Sequence, residues 1–170
     1  MDIRGYLKLL GAYFFLVLIQ VLVFSNIKIS EVGITPMFYV LFILIVPFEV
    51  PNWLQLVFAF ILGYSIDVFA DTPGLNAAAT VVMAFARPGI LNILSPRDGY
   101  ESGLLPYVSY LGMNWFIKYS VTLIAIHHFV YFLINSIGFF DFYNLIINIF
   151  FTTICSSIFI ILSQFFIFRK

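Results

Sequence analysis

The chain has 170 residues, 63% of them hydrophobic, 20% aromatic and 9% charged, with eight Lys/Arg balancing eight Asp/Glu. An ordinary soluble domain is about 25% charged, so this chain has too little polar surface to cover itself in water. It also has no basic excess with which to hold nucleic acid. The composition fits a bilayer as solvent. Cys155 is the single cysteine and lies in an apolar run, which leaves no disulfide framework and no Cys-based metal site.

A spanning helix needs about 20 apolar residues. The first predicted span covers 7–24 and follows Arg4 and Lys8. Its length, and the absence of a small-x-small site at Phe24-Ser25-Asn26, mark it as an uncleaved helix and not a signal peptide. The second, 35–48, is short and bracketed by Pro36, Pro47 and Pro51, so it is either a thin span or re-entrant. The third covers 52–70 and ends at the turn cluster Asp71-Thr72-Pro73-Gly74. The fourth, 75–94, is interrupted by Arg87-Pro88-Gly89. A polar loop runs over 95–106, and the fifth and sixth spans cover 111–137 and 143–168.

Six spans with a cytoplasmic N-terminus put Arg4, Lys8, Arg97, Arg169 and Lys170 inside, with Arg87 and Lys118 in the inner halves of their helices and only Lys28 outside. The positive-inside rule selects this arrangement over five spans, which would put the C-terminal pair outside. Trp53, Tyr100, Tyr107, Tyr110 and Trp115 then share the cytoplasmic interface, where amphipathic rings are favoured. The expected fold is an all-α integral membrane protein, a six-transmembrane-helix bundle in one domain over 1–170.

Polar residues inside hydrocarbon need a reason. Ala59, Gly63 and Asp67 share one face of the third span at i, i+4, i+8, and small residues at that spacing admit a neighbouring backbone. Asp67 either caps the start of the fourth span, around Gly74 to Ala77, where backbone N–H groups lack partners, or serves a proton or substrate. The fourth span carries an alanine-rich surface suited to packing on the third. Arg87 is its only charge and is expected to pair with Glu49 or Glu101 or to reach the headgroups. Pro88 should bend the helix, which is tolerated where a neighbour takes up the freed carbonyl.

Two polar stripes follow, Asn114, Lys118 and Thr122 with Ala125 and His128, and then Asn144, Asn148, Thr152 and Ser156. They are expected to meet each other or line a common interior. His127 and His128 are adjacent, so they point about 100° apart and suit one ion poorly. They read as structural, with no metal or cofactor implied. There is no GxSxG, no Walker loop and no HExxH. Asp67 and Asp71 stand at one end of one helix and make no two-helix dyad, so an enzyme is not expected.

Gln20 in the first span, Pro36 opening the second, and the stretch GYSIDVFADTPGLNAAATVVMAFARP from Gly63 to Pro88 together resemble the bacterial rod shape-determining MreD family. That family's pattern is a Gly, an Asp four residues on, a small turn, a Pro-Gly and a helix-opening Asn. Gly63, Asp67, Pro73, Gly74 and Asn76 occupy those places. The RDGYE segment, with Arg97, Asp98 and Glu101, resembles the cytoplasmic loop of one branch. The resemblance implies a non-enzymatic multi-pass scaffold of the inner membrane's cell-elongation complex. Its partner would be a single-span MreC protein, joining it indirectly to RodA, its transpeptidase and the MreB filament. The loop is then either a solvated connector or a contact for a soluble partner.

The family is similar in fold to the substrate-binding subunits of energy-coupling-factor transporters, which implies an alternative: a small-molecule-binding subunit with an outward pocket near Asp67 and Asn76. Those subunits share a small-xxx-small docking face on their first helix. Here Phe15 and Leu16 break that pattern after Gly11-Ala12.

Overall fold

The computed structural model describes residues 3–27, 35–97, 99–101, 103–137 and 141–167, with the side chains of Arg4 and Ile167 left aside. Lys28, Asp98, Arg169 and Lys170 lie outside the described residues, as does the side chain of Arg4. The described residues form helices α1 (Ile3–Leu22), α2 (Leu41–Ile45), α3 (Asn52–Ala70), α4 (Leu75–Ile93), α5 (Val108–Leu111), α6 (Met113–Asn135) and α7 (Phe142–Ile167), and contain no strand. Four stretches are long and apolar enough to cross a membrane: Gly5–Asn26, Asn52–Ala70, Met113–Asn135 and Phe142–Phe166. That makes the chain a membrane protein.

Helix α4 is as long as α3 but less apolar, because it stands in the middle of the bundle. It packs on both α3 and α6, and it buries Asn76, Thr80 and Arg87 among alanines. Helix α3 presents Ala59 and Gly63 to it. A Cβ on Gly63 would lie 2.5 Å from both Ala77 Cα and Asn76 O, so only glycine lets the backbones approach this closely. The connection is tight. Asp71 ends α3 in the left-handed region (φ 53°), and Gly74 at φ 83° opens α4.

The second predicted span takes a different form. In place of a continuous helix over 35–48 there is an extended stretch, a 3-10 turn at Phe38–Val40 and the five-residue α2. Proline explains both ends. Pro47 keeps Val46 extended (φ −55°, ψ 126°), and Pro36 has no N–H to extend the helix backward. The segment from Pro36 to Val46 is buried throughout, so it runs through the core and does not face lipid.

Contacts along the chain alternate between two ends of the bundle. Gln20, late in α1, meets Pro36 and Tyr39. Val46 and Gln55, early in α3, meet Arg87, late in α4. Trp115, early in α6, donates to Leu94 O just past α4, and His128, late in α6, meets Thr153 in α7. Gln164 near the end of α7 accepts from Val108 N. We call the two levels the Asp67 end and the Arg87 end.

The polar stripe expected on the fifth span is corrected. Asn114, Lys118 and Thr122 face outward, and the buried face of α6 is Phe116, Tyr119, Ser120, Leu123, Ile124, His127 and His128. A step of four residues overshoots one turn by about 40°. Two such steps therefore carry Thr122 about 80° away from Asn114, on the side opposite His128. On α7, by contrast, Thr152 and Ser156 are buried, while Asn144 is exposed.

Candidate functional site

Two buried polar clusters sit on α4, at Asn76 and at Arg87. Eleven residues separate them, about 16 Å along a helix.

At the Asp67 end, the carboxylate is 3% exposed. Its Oδ1 accepts from Thr72 Oγ1 (2.5 Å), Asn76 N (3.0 Å) and Asn76 Nδ2 (2.9 Å), and its Oδ2 from Ala77 N (2.8 Å). Two of those donors are first-turn amides of α4 that have no partner within the helix. The capping expectation for Asp67 is what the geometry contains. With Asn76 Nδ2 committed to the carboxylate, its Oδ1 accepts from Tyr39 Oη (2.9 Å). Tyr39 Oη in turn lies 2.8 Å from His127 Nε2. The proton of Thr80 Oγ1 goes to Asn76 O (2.6 Å). Both hydroxyl protons are thus spent, and the network assigns the remaining one to His127 Nε2, donating to Tyr39. The order His127, Tyr39, Asn76, Asp67 runs one way, toward the carboxylate. An amide in the middle passes no proton, so this chain orients side chains and does not conduct.

His127 Nδ1 is buried without a partner among the described residues, as are Thr152 Oγ1, Ser157 Oγ and Gln164 Nε2. His128 turns the other way, with Nδ1 3.1 Å from Thr153 Oγ1 and Nε2 3.5 Å from Ser156 Oγ. The two histidines serve different helix contacts. Among the described residues, no group of three or more His, Cys, Asp or Glu is placed to hold a metal ion.

At the other end, Arg87 is 2% exposed. Pairing with Glu49 or Glu101, or reaching the headgroups, does not occur. Nε donates to Tyr119 Oη (2.6 Å), Nη1 to Gln55 Oε1 (2.5 Å) and Nη2 to Val46 O, and the guanidinium lies 6.0 Å from the ring centroids of Phe48 and Tyr119. A bundle interior can hold a cation when directed acceptors and ring faces replace its hydration. Tyr119 passes its own proton to Leu44 O (3.1 Å). Phe48, Tyr100 and Trp115 close this end as an aromatic group, with Tyr100 stacked on Phe48 at 4.5 Å.

The irregular segment between Pro36 and Pro47 is held by these residues. Gln20 Oε1 accepts from Phe38 N (2.7 Å) and Tyr39 N (3.2 Å), while its Nε2 donates to Pro36 O (3.1 Å). Met37 N donates to Ser156 Oγ (2.9 Å). Tyr119 and Arg87 take the carbonyls of Leu44 and Val46 at the far end. Non-helical backbone survives at membrane depth only when protein satisfies it, and here α1, α4, α6 and α7 each contribute one side chain.

Of the residues singled out from sequence, Gly63, Asp67, Gly74 and Asn76 come together at one helix junction. Arg87 belongs to the other cluster. Arg97 and Glu101 are exposed in the connecting loop. Gln20 and Ser156, named in sequence for the resemblance and the second polar stripe, join them, and Tyr39, Gln55, Thr80 and Tyr119 complete the clusters. Their one sequence signal is a lone polar atom in an apolar run, since, apart from the bond of Thr80 to Asn76 within α4, the partners lie on other elements.

Two clefts flank α1. One, of about 750 Å³, lies between α1, residues 41–49 and residues 103–107. The other, about 420 Å³, lies between α1 and α3 and is lined by apolar and aromatic residues. Searched against protein-family models, curated proteins and solved structures, the chain matches none.

Proposed function

We propose that this chain is a non-enzymatic scaffold of the bacterial inner membrane, of the rod shape-determining MreD type. In this reading it crosses six times, keeps both termini in the cytoplasm and binds a single-span MreC-type protein. Through that partner it engages RodA, its transpeptidase and the MreB filament. One observation carries the reading: Gly63, Asp67, Gly74 and Asn76, the residues on which the resemblance rests, build a single helix junction whose hydrogen bonds stay inside the chain. Such a motif maintains a shape.

Six crossings are supported by the alternation of contacts between the two ends, with the buried segment from Pro36 to Pro47 making the second pass. Cytoplasmic termini are supported by the cation distribution. A transporter subunit would need Asp67 or Asn76 to face a ligand, and both are engaged by neighbours on α4 and by Tyr39.

Depletion in the source bacterium tests the function, read out as cell shape, together with affinity purification from native membranes. Rounded cells and recovery of an MreC-type protein are the expected results. Unchanged rods and no such protein in the eluate contradict the scaffold reading. A vitamin-sized molecule bound to the pure protein, and lost in Asp67→Ala, favours the transporter subunit instead.

A further inference from the structure

We propose that the larger cleft beside α1 is a binding site for one phospholipid, with an acyl chain inside it and the phosphodiester at Lys8. The walls are graded. Leu9, Ala12, Leu16, Leu41 and Ile45 line it with apolar side chains, while the exposed Lys8 and Glu49 and residues 103–105 line its charged, open end, the mouth. The mouth lies at the Arg87 end, beside the aromatic residues that mark an interface, and Lys8 is exposed there. A volume of about 750 Å³ is of the size that holds a small molecule.

Length decides between a lipid and a partner helix. From Lys8, where the phosphodiester sits, the lining residues on α1 run to Leu16, which at 1.5 Å per residue is about 12 Å. One leaflet of a ~30 Å hydrocarbon core is about 15 Å deep. The cleft therefore stays within one leaflet, as an acyl chain does, whereas a spanning partner helix needs the full thickness. A cation at the headgroup level complements a phosphate. Gly11 provides room, since a Cβ there would meet nothing within 4 Å. This inference requires only a membrane-embedded chain and does not depend on the MreC partnership.

The test uses the full chain in vesicles of phosphatidylethanolamine and phosphatidylglycerol doped with a phospholipid carrying a diazirine on one acyl chain. Adducts are mapped by mass spectrometry. Labelling is expected at Ala12 and Leu105, which line the cleft and are partly open to it. Lys8→Ala should lower it about fivefold. Gly11→Phe, which fills the cleft, should abolish it while labelling of the exposed Phe14 and Leu18 persists. No labelling at Ala12 and Leu105 in the wild type, or equal labelling in both variants, overturns the proposal. So does a protein adduct, in place of a lipid adduct, from benzoylphenylalanine placed at position 15 in native membranes.

Discussion

Removing the Asp67 carboxylate leaves four donors without their acceptor, two of them backbone amides of α4. A buried unsatisfied group costs about 1–3 kcal/mol, so Asp67→Ala should lower the thermal midpoint in detergent clearly. Asp67→Asn should fall between it and the wild type, because one of the two oxygens becomes a donor facing donors. Gly63→Ala is expected to cost about 1–3 kcal/mol through overpacking against Asn76 and Ala77. Gly11→Ala, with open space, serves as the control that should not destabilise. At the start of α7, Asp141 accepts from Tyr143 N (3.0 Å) and Asn144 N (3.2 Å), and these bonds, the Asn144 amide first, hold its carboxyl below the usual aspartate range. Because the folded value is the lower one, this stabilisation is complete above the ordinary aspartate range and is lost as pH falls through the lowered value. Amide-exchange protection at Tyr143 and Asn144 should follow that curve and be flat with pH in Asp141→Ala. The Asp67 junction was readable from sequence because Gly63, Asp67 and Asn76 lie within 14 residues and are joined by a tight turn. Tyr39 and the partners of Gln20 were not, since those contacts are set by how separate elements pack.

Pro88 removes the N–H that would bond Ala84 O, and Gln55 Nε2 donates to that carbonyl instead (2.9 Å). The element therefore stays helical through Ile93 because a neighbour substitutes for the lost ladder bond. Gln55→Leu should destabilise the wild type more than it destabilises Pro88→Ala. A double-mutant cycle should give a coupling of about 0.5–3 kcal/mol, reduced by the part Gln55 spends on Arg87. Arg87→Lys should not rescue Arg87→Ala, because one ammonium cannot reach Tyr119, Gln55 and Val46 along three fixed directions. Five of the six predicted helices match α1, α3, α4, α6 and α7 within a few residues, four of them long and apolar enough to cross a membrane, since long apolar runs bounded by turns fix helix limits locally. The run at 35–48 misleads for a physical reason. Hydropathy registers burial, and burial in protein is as apolar as burial in lipid, so a buried irregular segment reads like a short spanning helix. The same ambiguity hid the destination of Arg87, whose neutral partners are supplied by three other elements.

The molecule as a whole is a helical shell around one irregular segment, fixed at the Asp67 end by Gln20 and Ser156 and at the Arg87 end by Tyr119 and Arg87. Helix α1 is the least enclosed part, with a cleft on either side. The proposed six passes put both termini on one side of the membrane. The direct test is a set of fusions and single cysteines in a Cys155→Ser background. Cysteine at Pro73 or Asn135 should react with an impermeant maleimide from outside intact cells, whereas cysteine at Arg97 should react only after permeabilisation. A fluorescent protein fused after Lys170 should glow in the cytoplasm. Alkaline phosphatase activity from the same fusion point, or labelling of position 97 from outside, contradicts the six-pass account.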